Sequence, residues 1–231
     1  MLELKGNVLH FSFPEVHPEA KLTISFERTC RIPDDGKEYP LPGSLGHFPL
    51  RHVDDYAKRV PSEWQARGGV MLPMYQSEAL WVRFLTNSVR TNGNSPYPFA
   101  VKVSAGKMSA VTGKPWEKKL RKDDYLVVPP QPWLDGFVVE EGKIRQFVAM
   151  PLGLGATVEE QLTGEAEWGG IQIEVFPMKR EVFERRFPPP PPKPRADSRF
   201  LRSRSSFSGG RIYPESQTFG SMNYSCDNIT L

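Results

Sequence analysis

Apolar residues recur along this chain with a period of two more often than with a period of three to four. Residues 22–28 (LTISFER) set Leu22, Ile24 and Phe26 against Thr23, Ser25 and Glu27, which predicts a half-buried strand. The run at 79–85 (ALWVRFL) predicts a buried strand. Phe99, Val101 and Val103 alternate with Ala100, Lys102 and Ser104, and Ile171, Ile173 and Val175 alternate with Gln172, Glu174 and Phe176. Shorter apolar runs lie at 108–111 and 125–128. The run at 70–75 is broken by Pro73, which suits an edge or a bulge. Segments 137–139 and 144–148 flank a Glu141-Gly142 pair that fits a hairpin turn.

Helical signals are few. Val53, Tyr56, Ala57 and Val60 fall at i, i+3, i+4 and i+7, which predicts a helix stopped by Pro61. Ser62 with Gln65, and Thr157 with Glu160, have capping-box spacing and predict two further short helices, closed by Gly68-Gly69 and by Gly164. Prolines 33, 40, 42 and 49 make residues 31–50 a long ordered loop. About eight strands against two or three short helices, without regular alternation, predict a mainly β fold: an antiparallel β-sandwich or a partly closed barrel.

Composition sharpens the domain organisation. Proline numbers 23 in 231 residues, about twice the usual share of roughly 5%. Five of them run from Pro188 to Pro192, a stretch that favours polyproline II. The serine- and arginine-rich sequence beyond holds too few apolar residues for a core. The expectation is a β-rich globular domain over 1–187 and a proline-led, basic, disordered tail over 188–231. The charge follows this division. Residues 1–187 hold 24 Lys+Arg and 24 Asp+Glu, whereas 188–231 hold 6 and 3, the whole of the net +3. A neutral body argues against a nucleic-acid groove, which needs clustered cations. No run of 18 apolar residues predicts a transmembrane helix. Two cysteines, Cys30 and Cys226, and no signal-peptide pattern point to a reducing, cytoplasmic setting. Asn223 and Asn228 fit the glycosylation pattern, which is read as chance.

Candidate chemistry is sparse. His47 and His52 lie five apart near Asp54 and Asp55, which is not a zinc spacing, so no metal and no cofactor are expected. Cys30 has no local histidine partner. The segment Pro151-Leu-Gly-Leu-Gly-Ala156 lacks the third glycine and the lysine of phosphate loops and reads as a tight turn. Glu159, Glu160, Glu165 and Glu167 cluster, with Glu78 and Asp135 at strand or turn edges. Paired carboxylates run glycoside hydrolysis when held at fixed separations, although a solvated face is the simpler account. The most distinctive segment is Pro129-Pro-Gln-Pro-Trp-Leu-Asp-Gly136. Trp133 there could stack on sugars or proline-rich peptides, with core plugging as the default for Trp133 and Trp81. Trp116, among Lys114, Lys118 and Lys119, is the tryptophan expected at the surface. The tail's proline run with flanking cations suits an SH3-type partner.

The strings RIPDDGKEYPLPGSLGHFPLRHVDDY (31–56), GGVMLPMYQSEALW (68–81), PQPWLDGF (130–137), IRQFVAMPLG (144–153) and VEEQLTG with GGIQIEVFPMK (158–179) resemble a conserved family of bacterial and fungal hypothetical proteins. The resemblance spans about 22–180 and carries no activity, ligand or catalytic residue with it. The functional expectation is therefore a non-catalytic β-rich binding or interaction module for a glycan or an extended peptide. Its candidate residues are Trp116, Trp133, Asp135, Glu159, Glu160, Glu165 and Glu167. The alternatives are a carboxylate-dependent hydrolase and a self-assembling structural protein.

Overall fold

The chain was analysed as a computed structural model that describes residues 1–188 apart from 34, 36, 38, 87–94 and 141–142. The strands in chain order are β1 (Leu2–Lys5), β2 (Val8–Ser12), β3 (Lys21–Thr29), β4 (Arg51–His52), β5 (Val70–Met71), β6 (Ala79–Thr86), β7 (Phe99–Ala105), β8 (Met108–Ser109), β9 (Leu126–Val128), β10 (Trp133–Leu134), β11 (Gly136–Glu140), β12 (Lys143–Val148) and β13 (Ile171–Pro177). Three short helices join them: α1 (Ser62–Arg67), α2 (Val158–Thr163) and α3 (Arg180–Arg186). The fold is mainly β and sandwich-like, and its sheets are antiparallel and do not close into a barrel.

The larger sheet has the order β1-β2-β3-β6-β12-β11, with β10 also on β6. Its centre is the eight-residue register of β3 on β6, from Leu22↔Thr86 to Thr29↔Ala79. The smaller sheet has the order β13-β7-β8, with β9 also on β7. β4 and β5 form a separate two-stranded ribbon. Leu22, Ile24, Phe26, Val82 and Phe84 from the larger sheet share one buried cluster with Phe99, Val101, Val103 and Val128 from the smaller. The apolar halves of the period-two patterns therefore face each other, and each such side chain gains about 1.5–3 kcal/mol from leaving water. α3 seals one end of the core: Phe183 lies 4.3 Å from the Tyr97 ring and 5.4 Å from that of Phe187.

Several local expectations are corrected. The stripe from Val53 to Val60 forms only a 3-10 turn over Asp54–Tyr56. Val53 is the one member of the stripe that is buried, so burial does not offset helix nucleation. Ser62 is the first residue of α1, behind Pro61, and makes no capping bond. The Gln65 side chain reaches back to the Ala57 and Val60 carbonyls. By contrast, Thr157 and Glu160 form the expected capping box, and Gly164 ends α2 in the left-handed region at φ 77°. The strand at 70–75 stops at Met71, two residues before Pro73. β11 and β12 pair as a hairpin with a register shift between Val138 and Glu140, while residues 141–142 lie outside the described residues. So do Cys226, both glycosylation patterns and the tail from 189 onward. The β1–β2 hairpin, β10 and α3 are elements that the sequence reading did not include.

Candidate functional site

Each sheet carries on its outward face a buried ionisable side chain tied to a long connecting segment. On the larger sheet, Thr23, Ser25, Glu27 and Thr29 project away from the core. Residues 45–48 run antiparallel along the free edge of β3, with Arg28 N donating to Gly46 O, Leu45 N to Arg28 O and Phe48 N to Phe26 O. Residues 42–44 reach Thr29 and Glu27, and Glu27 ends with 1% of its surface exposed. Its carboxylate accepts from Ser25 Oγ at 2.7 Å, Ser44 Oγ at 2.7 Å and His47 Nδ1 at 2.8 Å. On the smaller sheet, Lys102 is wholly buried. Its ammonium pairs with Asp124 Oδ2 at 2.8 Å, donates to the Glu117 and Lys119 carbonyls, and sits 4.5 Å from the centre of the Trp116 ring. Ser109 Oγ holds the other Asp124 oxygen at 2.6 Å.

That Trp116 ring is the start of a ladder of alternating cations and indoles. Lys107, in the turn between β7 and β8, places Nζ 5.7 Å from the Trp116 ring and 5.1 Å from the Trp168 ring. The Arg67 guanidinium stands 4.8 Å from Trp168 and donates to the carbonyls of Glu167 and Trp168. Cation–π attraction of this kind is worth about 0.5–2 kcal/mol per contact, more as water is excluded. Among the described residues, Lys107 Nζ makes no ion pair, and it stands between the two indole faces.

Glu159 fixes this arrangement. It is 2% exposed, and its carboxylate accepts from the backbone N–H groups of Glu167, Trp168 and Gly169 at 3.1, 2.8 and 2.7 Å. Gly106, at φ 55°, lets the β7–β8 turn approach it. A Cβ there would lie 2.5 Å from Glu159 Cβ. Gln172 ties the same turn from β13, accepting from Ser104 Oγ and Lys107 N and donating to the Gly169 carbonyl. Trp168, 40% exposed, is thus an aromatic surface carried on a braced loop.

Of the candidate residues, Trp116 and Glu159 meet here, with Glu167 contributing backbone. Glu160 is occupied by the α2 cap. Hydrogen bonds from Thr157 Oγ1 and from the N–H of Gly155 hold its carboxyl below the usual carboxylate range. Glu165 and Glu167 project to solvent. Trp116 is half-buried between lysines, not the surface tryptophan expected. Trp133 does not plug the core: it is 40% exposed and stands opposite Arg83. Trp81 is half-buried on the same outward face, and its Nε1 finds no acceptor among the described residues. Asp135 sits at the fork where β12 replaces β10 as the neighbour of β6, and burial pushes its carboxyl up from the usual range. Glu78 pairs with Arg28 at 3.1 Å. Cys30 is a free, exposed thiol. Sequence reasoning missed Lys107, Arg67, Trp168 and Gln172 because their meeting depends on the β7–β13 register.

Among the described residues, no group of His, Cys, Asp and Glu could hold a metal ion, and no helix is long and apolar enough to cross a membrane. No protein-family profile, no curated protein and no solved structure matches the chain.

Proposed function

We propose that the chain is a non-catalytic binding module, that its ligand seat is the Trp116–Lys107–Trp168 edge, and that the ligand is a glycan or an extended peptide. The observation that carries this reading is the Glu159 clamp, a buried carboxylate whose three backbone hydrogen bonds fix the loop that exposes Trp168. An aromatic ring braced before binding loses little freedom on association, and indoles stack on sugar C–H faces and on extended peptides. A hydrolase would need two carboxyl groups facing each other about 5–10 Å apart across a cleft. Glu159 and Glu160 are instead engaged by hydrogen bonds of their own, so the geometry favours binding.

Glycan and peptide arrays, followed by calorimetry on the best probe, test the reading. Trp168→Ala should weaken that probe at least about tenfold while leaving the melting temperature near its original value. Trp133→Ala should leave the affinity unchanged. A loss at Trp133 alone would move the seat to the larger sheet, and no loss at either residue would remove the proposal.

A further inference from the structure

The edges of the two sheets are not equally guarded. In the larger sheet, β1 is four residues long, carries Glu3 and Lys5, and turns straight back into β2. β11 carries a register irregularity. Short strands, charges and bulges are the usual devices against pairing with a foreign strand. β13 is less guarded: it keeps unbroken register with β7 over seven residues, holds no lysine, carries Glu174 as its one charge, and its single proline is its last residue. Among the described residues β13 pairs only with β7.

The register states which groups face outward. Gly106 N donates to Gly170 O at one end of the ladder, and Met178 N donates to Pro98 O at the other. Bonded pairs alternate along an antiparallel ladder, so Gln172, Glu174 and Phe176 turn their backbone groups to β7. Ile171, Ile173 and Val175 turn theirs to the open edge. Their side chains lie against the core but remain half-exposed.

We infer that this edge pairs with the same edge of a second copy, by a two-fold antiparallel register centred on Ile173. In that register Ile171 of one copy meets Val175 of the other and Ile173 meets Ile173. All three outward-facing residues then bond, and half-exposed apolar side chains extend both cores. Gln172 stands opposite Glu174, whose Oε2 is buried without a partner among the described residues. Gln172 Nε2 gives one hydrogen to Gly169 O and has a second to offer. Centring on Glu174 would set two glutamates face to face and bring Pro177, which has no N–H, opposite Ile171. The charge-balanced body opposes association little. A pairing limited to one edge buries less than about 1,200 Å², so the dimer dissociates in the micromolar range.

Sedimentation of the full chain between about 5 and 500 μM should show a monomer–dimer transition. In parallel, amide exchange at Ile171, Ile173 and Val175 should slow several-fold as concentration rises, with Gln172 and Glu174 unaffected. Ile173→Pro removes an outward N–H without breaking a β7 bond and should leave a folded monomer. Ile171→Pro, at the first strand position where proline is tolerated, should weaken the dimer if Ile173→Pro fails to fold. Three results would overturn the inference: a monomer at every concentration, a dimer whose protection lies elsewhere, or protection of these amides that is independent of concentration or requires an added peptide.

Discussion

The two sheets solve one problem with opposite charges. Each holds a long connecting segment in place by one buried ionisable side chain on its outward face: Glu27 binds residues 44 and 47 of the segment along the β3 edge, and Lys102 binds residues 116–124. The difference lies in the partners. Glu27 is bound by two hydroxyls and a histidine whose side chain is 45% exposed, and two of the three, Ser44 and His47, reach water easily once released. Lys102 is bound by Asp124, itself 8% exposed, and by carbonyls and an indole. A buried charge whose partners lie mostly near solvent is a replaceable anchor, whereas one matched by a second buried charge is not, because removing either strands the other.

The largest effect should therefore come from Lys102→Ala, which leaves the Asp124 carboxylate uncompensated. It is expected to lower stability by about 3–5 kcal/mol in urea unfolding. Lys102→Met combined with Asp124→Leu should recover most of that loss, and a single-variant loss below about 1 kcal/mol would abolish the contrast. Glu27→Ala should do less, about 1–3 kcal/mol, because Ser44 and His47 turn to solvent and only Ser25 stays enclosed. A loss equal to that of Lys102→Ala would make the two anchors alike. The smallest effect belongs to Asp135, where the larger sheet desolvates a carboxylate that has no ion-pair partner among the described residues. Its folded pKa lies above the unfolded value, so the folded state binds more protons and stability falls as pH rises through that interval. Asp135→Asn should stabilise the protein slightly at neutral pH, with the gain disappearing in acid below the ordinary carboxylate range. A loss of stability at neutral pH would show that the ionised carboxylate has a partner.

The fold class could be read because β3, β6, β7 and β13 each carry one predominantly apolar side, and that pattern fixes which face meets the core. The anchors could not. Alternation assigns Glu27 and Lys102 to the solvent face, and it assigns their orientation correctly. Their burial comes from segments that lie 15 to 22 residues away in sequence and hold no periodicity of their own. The same limit hid the candidate seat. Trp116 and Glu159 stood out by residue type, but Lys107 and Trp168 become neighbours only once β13 lies beside β7 in a particular register. α3 was missed because its apolar contribution is essentially Phe183, too little for a periodic signal. The β1–β2 hairpin does alternate, with Leu2, Leu4, Leu9 and Phe11 on one side of a Gly6-Asn7 turn. That signal was present in a segment read only for a leader pattern.

The complete enclosure of Lys102 gives the molecule an internal reporter. An amine-directed reagent acylates neighbours such as Lys114, Lys118 and Lys119 at once, because their amines meet solvent. It reaches Lys102 only when the segment from 116 to 124 lifts from the sheet. The labelling rate at this one amine therefore measures how often that cover opens in an otherwise folded chain.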